Sequence, residues 1–117
     1  MAKILIAEDE DLVRYLLKIA LQNDGHQTLT AINGREALLQ VDVHQPDIVL
    51  LDLRMPGIDG AQVIRSIRAN PIYTHMRIVV ITGIAPPIMP ISGGHVDLVL
   101  EKPVPIQDLM MHIQRLL

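Results

Sequence analysis

Ile4-Leu5-Ile6-Ala7, Ile48-Val49-Leu50-Leu51, Ile78-Val79-Val80-Ile81 and Leu98-Val99-Leu100 are short apolar runs with no polar residue interposed. A strand with one face in water alternates apolar and polar side chains, whereas a strand covered on both faces does not. These runs therefore predict parallel strands buried between helices, and a fifth, mixed run at Thr28 to Ala31 completes the set. Helix-period segments lie between them. Leu12, Leu16, Ile19 and Asn23 follow helical spacing after the first run, with Tyr15 and Leu17 widening the apolar side. Asn33 with Glu36 precedes Ala37, Leu38 and Val41, and Asp59 with Gln62 precedes Val63, Ile64 and Ile67, each pair reading as an N-cap and its reciprocal partner. The last segment sets Ile106, Leu109, Met110, Ile113 and Leu117 on one face.

Strand then helix, five times over, predicts an α/β fold: a doubly wound, open parallel sheet with helices on both faces and right-handed crossovers. The 117 residues fit one domain over 1–117, with no room for an output domain after Leu117. The fourth helix is the exception. Its place is taken by Ala85 to Gly94, where three prolines and two glycines in ten residues predict a shortened or irregular element.

Composition removes several function classes. The chain has no Phe or Trp, and Tyr15 and Tyr73 are its only aromatic residues, so the core is built from Ile, Leu, Val, Met and Ala. Two scattered tyrosines form no base-stacking platform, and a net charge of −3 supplies no basic surplus for phosphate backbones, so direct nucleic-acid binding is not expected. The absence of cysteine excludes disulfides, thiolate metal sites and thiol catalysis. No apolar run approaches the roughly 20 residues of a spanning helix, and the expectation is a cytoplasmic protein without membrane insertion.

In a doubly wound sheet, ligands bind beyond the carboxyl ends of the strands, where the winding reverses. The residues found there carry chemistry. Glu8-Asp9-Glu10-Asp11 follows the first run, Asp52 the third, Thr82 the fourth and Lys102 the fifth. Two like charges about 4 Å apart repel by roughly 1 kcal/mol in water and about 4 kcal/mol at an effective dielectric of 20, so crowded carboxylates call for a cation. All-oxygen ligation selects a hard ion, and Mg²⁺ fits better than Ca²⁺ because it shares its ligands with phosphoryl groups. Asp52 is then a carboxylate nucleophile toward phosphorus, with Lys102 and the Thr82 hydroxyl stabilising the phosphoryl oxygens. Taken singly, each group also has an ordinary role: an acidic run complementing a helix dipole, a turn aspartate, a capping hydroxyl, a surface lysine. His26, His44, His75, His95 and His112 show no ligand spacing and read as surface or loop residues. The six methionines read as core filler, although Met110 and Met111 lie where a partner could dock.

Ile4 to Glu10, Asp47 to Gly60 with its Asp52-Leu53-Arg54-Met55-Pro56-Gly57 centre, Ile81-Thr82-Gly83 and Glu101-Lys102-Pro103 together resemble the CheY-like receiver domains of two-component response regulators. The resemblance covers the whole chain. It implies the flavodoxin-like strand order 2-1-3-4-5 and a phosphorelay role rather than an enzymatic one. Asp52 would accept a phosphoryl group from a histidine kinase or histidine phosphotransfer protein and hydrolyse it slowly, and the domain would regulate a downstream protein. By motif position it implies Glu8, Asp9, Asp52 and the backbone carbonyl of Arg54 around Mg²⁺, Thr82 and Lys102 on the phosphoryl group, and a cis Lys102-Pro103 bond. Ile81 to Ala85, with Lys102-Pro103 and Gln107-Asp108-Leu109, is similar to stand-alone CpdR-type receivers that act as adaptors for regulated proteolysis.

Departures from the pattern bear on signalling. Receivers commonly place Tyr or Phe three residues before the lysine, as a ring that moves when the threonine does; here that position is Val99. The threonine is followed by Gly83 rather than Ala. With Thr82, Val99 and Pro103 as the switch positions, phosphorylation is expected to order or displace the Ile84 to Gly94 segment, and Arg54 and Ile84 to tune hydrolysis. A haloacid dehalogenase-like hydrolase is the enzymatic alternative, but it needs an acid two residues after its nucleophile, where this chain has Arg54. A flavodoxin-like FMN carrier needs a phosphate cradle where Glu8 to Asp11 would repel one.

Overall fold

The computed structural model describes residues 1–55, 57, 59–83 and 95–117. Along these the chain runs β1 (Lys3–Ala7), α1 (Asp11–Asn23), β2 (Gln27–Ala31), α2 (Gly34–His44), β3 (Ile48–Asp52), α3 (Gly60–Arg68), a 3-10 turn (Pro71–Tyr73), β4 (Arg77–Thr82), β5 (Leu98–Glu101) and α4 (Ile106–Leu116). All strand pairs are parallel, in the order β2-β1-β3-β4-β5. From β1 the chain goes first to β2 on one side and then to β3 on the other, so the winding reverses between β1 and β3. The expected flavodoxin-like fold is thus observed, while the irregular fourth helix expected at 85–94 lies outside the described residues, as do Ile84, Pro56 and Ile58.

The continuous apolar runs follow from two covered faces. Leu5, Ala7, Val49, Leu51, Ile78 and Val80 pack with Ala37 and Val41 of α2 and Val63, Ile64 and Ile67 of α3. Their neighbours Ile4, Ile6, Ile48, Leu50, Val79 and Ile81 pack with Leu17 and Leu21 of α1 and Leu109 and Ile113 of α4. The buried apolar residues are Ile, Leu, Val, Met and Ala with one aromatic addition, Tyr73, whose hydroxyl donates to Asp42 Oδ1 at 2.9 Å.

Several local expectations need correction. On α1, Leu12, Tyr15 and Leu16 are exposed, and the buried stripe is Leu17 and Leu21 with Val13 packed beside it. This helix carries more apolar residues than one face accommodates, so spacing alone did not select the stripe that meets the sheet. On α4, Leu109 and Ile113 are buried but Ile106 and Leu117, at the ends of the segment, are exposed. The Asn33 and Asp59 caps form, accepting from the backbone N–H groups of Glu36 and Gln62, both at 2.8 Å. Glu36 reaches back one residue further than a capping box requires, to the N–H of Ile32 at 3.2 Å. His26 lies in the loop between α1 and β2, but its side chain is turned inward, 7% exposed, and its Nδ1 accepts from the Ala2 N–H at 3.1 Å.

Asp97, immediately before β5, ties the strand starts together. Its side chain is 8% exposed and accepts from the Ile78 N–H at 2.8 Å, from Arg68 at 3.3 Å and from Arg77 at 3.4 Å, with His95 Nε2 at 3.2 Å. Burial pushes its pKa up, but the Ile78 N–H, His95 and Arg68 outweigh burial and hold it below the ordinary carboxylate value. A lowered folded pKa stabilises above the unfolded value and loses that contribution as pH falls through the folded one. Asp97→Asn should therefore cost about 1–3 kcal/mol near neutrality. The gap from wild type should close as pH drops below about 4, where unfolded aspartate protonates. Urea denaturation across that range measures both.

Candidate functional site

The strands deliver their last residues to one edge. Glu8 directly follows β1, and its N–H extends the ladder to Ala31 O at 3.0 Å. Asp52 and Thr82 are the final residues of β3 and β4, and Lys102 follows β5, its N–H donating to Thr82 O at 2.7 Å. Glu8, Asp52 and Thr82 are buried.

Glu8, Asp9 and Asp52 each present a carboxylate oxygen, all within 4.8 Å of one another. Lys102 Nζ donates to Glu8 Oε1 at 2.8 Å and Asp52 Oδ2 at 3.1 Å, with Glu10 Oε1 at 3.8 Å. The second oxygen of each buried acid takes a loop amide: Glu8 Oε2 from the Glu10 N–H at 3.1 Å, Asp52 Oδ1 from the Arg54 N–H at 3.0 Å. Burial pushes the Glu8 carboxyl above its ordinary pKa, against the Lys102 and Glu10 hydrogen bonds. Burial also works against the Lys102 ammonium, but Glu8 and Asp52 outweigh it and raise its pKa. Three carboxylates against one ammonium leave two negative charges on an all-oxygen donor set. That set suits a hard divalent cation such as Mg²⁺.

Of the acidic run, only Glu8 and Asp9 join this cluster. Glu10 contributes its backbone N–H, and Asp11 pairs instead with Arg14. Arg14 carries no motif signal in the sequence beyond its position three residues after Asp11. Its Nη1 donates to the carbonyls of Glu8 at 2.9 Å and Asp9 at 3.4 Å. Val99 is half-buried against the α2–α3 side of the core, and the Lys102-Pro103 bond is cis. Pro103 and Lys102 also border a groove of about 330 Å³ between α1 and α4, lined by Val13, Leu16, Leu17, Ile106 and Leu109.

The segment after Asp52 is shaped by Gly60. Its N–H donates to Leu53 O at 3.2 Å, and a Cβ there would lie 2.6 Å from Leu53 Cα and 3.1 Å from Asp52 O. Only glycine lets α3 start this close behind the end of β3.

The sequence model of the response regulator receiver domain matches residues 4–114. The chain belongs to the response regulator receiver family. It is 35% identical over 120 residues to the virulence transcriptional regulatory protein PhoP of Salmonella typhimurium, covering 100% of this chain and 52% of PhoP. The chain thus spans about half the length of that relative. Sporulation initiation phosphotransferase F of Bacillus subtilis is 38% identical over 100 residues, which are 86% of this chain and 72% of that protein. The response regulator TrrA of Thermotoga maritima, solved in complex with Mg²⁺-BeF, superimposes with a TM-score of 0.88 at 33% identity, covering 100% of both chains. Receiver domains are signalling modules of two-component phosphorelays that bind Mg²⁺ at acidic residues and interact with histidine kinases or phosphotransfer proteins. No described helix of this receiver is long and apolar enough to cross a membrane.

Two substitutions test the construction of the site. Gly60→Ala should cost about 1–3 kcal/mol through overpacking against Leu53, read as a lower urea midpoint with an unchanged slope. Lys102→Met strips the cation that, among the described residues, bridges the buried Glu8 and Asp52 carboxylates, and should cost about 3 kcal/mol in EDTA. A midpoint equal to wild type would show that Lys102 does not hold the cluster together.

Proposed function

We propose that this receiver accepts a phosphoryl group on Asp52 from a histidine kinase or histidine phosphotransfer protein, in a Mg²⁺-dependent reaction, and thereby regulates a downstream protein. The observation that carries this reading is the Asp52 carboxylate at the end of β3, held between Lys102 Nζ at 3.1 Å and the Arg54 N–H at 3.0 Å, beside two further carboxylates. Both hydrogen bonds orient the nucleophile before a donor arrives.

As an Asp52 oxygen attacks phosphorus, the O–P bond forms and the P–N bond to the donor histidine breaks, with the departing imidazole keeping the electron pair and taking up a proton. Lys102 is placed to exchange its carboxylate contact for a phosphoryl oxygen, and the Thr82 hydroxyl, at the end of the adjoining strand, is the second phosphoryl ligand. Glu8, Asp9, Asp52 and the carbonyl of Arg54 are the groups to hold Mg²⁺, which when bound offsets the charge of the carboxylates and the phosphoryl group. The position of Arg54 favours a phosphoacceptor over a phosphohydrolase: two residues past the nucleophile stands a cation rather than a general acid. Thr82, Val99 and Pro103 form the proposed relay to the output surface, and with Val99 it runs without a ring. The associated proposal for Ile84 to Gly94 concerns a segment outside the described residues.

Incubation with acetyl phosphate and Mg²⁺ should add one phosphoryl group by intact mass, and hydroxylamine should release it. Asp52→Asn or EDTA should abolish the gain. Undiminished labelling of Asp52→Asn would overturn the assignment.

A further inference from the structure

We propose that Arg14 is a positioning residue that aims the Glu8 and Asp9 carboxylates at the divalent cation; this rests on the Mg²⁺ reading above. Glu8 to Asp11 places four carboxylates in four consecutive residues, and mutual repulsion favours splaying them into solvent. One guanidinium sorts them. Arg14 stands in the first turns of α1 with its side chain 18% exposed. Nη1 donates to Glu8 O at 2.9 Å and Asp9 O at 3.4 Å, while Nη2 pairs with the Asp11 carboxylate. Glu8 and Asp9, whose carbonyls Arg14 holds, are the two members of the run whose carboxylates join Asp52. Asp11, whose carboxylate Arg14 holds, is absent from that cluster and 92% exposed.

With the Glu8 and Asp9 carbonyls both held, the peptide planes on either side of the Asp9 Cα are fixed, and the Glu8 N–H in the ladder to Ala31 O fixes the plane before Glu8, so the direction in which each side chain leaves its Cα is set. Nη1 holds both carbonyls while Nη2 is anchored on Asp11; the ammonium of lysine, one bond nearer the backbone and with no second nitrogen, cannot reproduce that anchored reach. The arrangement parallels metal sites in which groups that never touch the metal orient those that do.

The sign of the effect separates positioning from charge. Arg14 is a cation near a cation site, so if charge were its whole contribution, removing it would tighten Mg²⁺ binding. If it aims the ligands, removing it weakens binding. Because the chain has no Trp, binding is read from amide NMR shifts during titration with Mg²⁺ alone, on the full chain without phosphodonor. Arg14→Lys, which keeps the charge and loses the fork, should raise the Kd about ten-fold. Arg14→Gln should also raise it despite the lost charge. A purely structural role would lower the urea midpoint in EDTA and leave the Kd of the folded protein unchanged. A Kd equal to wild type in Arg14→Lys, or tighter binding in Arg14→Gln, overturns the proposal while the metal reading stands. Failure of the wild type itself to show a saturable shift would remove the metal reading and this inference together.

Discussion

Five parallel strands all end at the same edge of their sheet, and the rest of the molecule is organised by that constraint. Helices cover both faces of the sheet, so the interiors of β1, β3, β4 and β5 are apolar and polar chemistry is displaced to the strand ends, while β2, at the sheet edge, stays mixed. Parallel pairing then collects residues far apart in sequence: Lys102 meets Glu8 across 94 positions and Asp52 across 50. The rigidity of the cluster is borrowed from the sheet. β3, which carries Asp52, is buried along its entire length and pairs with β1 and β4 on either side.

Charge at that edge is held in an unsettled balance. A lone buried carboxylate is costly, and Glu8 and Asp52 are buried side by side with the exposed Asp9 adjoining them; Lys102 compensates part of the cost but leaves an excess of negative charge. The two oxygens of Glu8 and of Asp52 are divided between a loop amide and the ammonium. The amides fix orientation, and the one ammonium bridges the two acids. Such a site gains from a hard cation.

Legibility in the sequence followed the same division. The uninterrupted runs Ile4 to Ala7 and Ile48 to Leu51 disclose parallel strands because two-sided burial leaves no alternation, and topology alone then places Glu8, Asp52 and Lys102 together. The buried stripe of α1 was not legible: Leu12, Tyr15 and Leu16 have the same hydrophobicity signal as Leu17 and Leu21, and only the position of the sheet decides between them. The partners of His26 and Arg14 were not legible for a related reason. Each makes its defining bonds to backbone atoms, the Ala2 N–H and the Glu8 and Asp9 carbonyls, and backbone partners leave no mark in residue types.

The opposite edge shows why the acids at the site remain available. Asp47 and Asp97 sit directly before β3 and β5, and each carboxylate accepts from an amide at the start of a neighbouring strand, the first of β1 (Lys3 N–H) and the second of β4 (Ile78 N–H), both at 2.8 Å. Their own N–H groups return the bond to Lys3 O at 2.7 Å and Ile78 O at 2.9 Å. Those reciprocal clasps use carboxylates as structural acceptors and close the strand starts. Beyond the strand ends, Glu8 and Asp52 each meet one loop amide among the described residues, and the other oxygen of each faces Lys102. Acidic residues at the two edges of one sheet therefore diverge in role: where reciprocal backbone amides clasp them they fasten the fold, and where one ammonium bridges them they build the charged cluster that suits a hard cation.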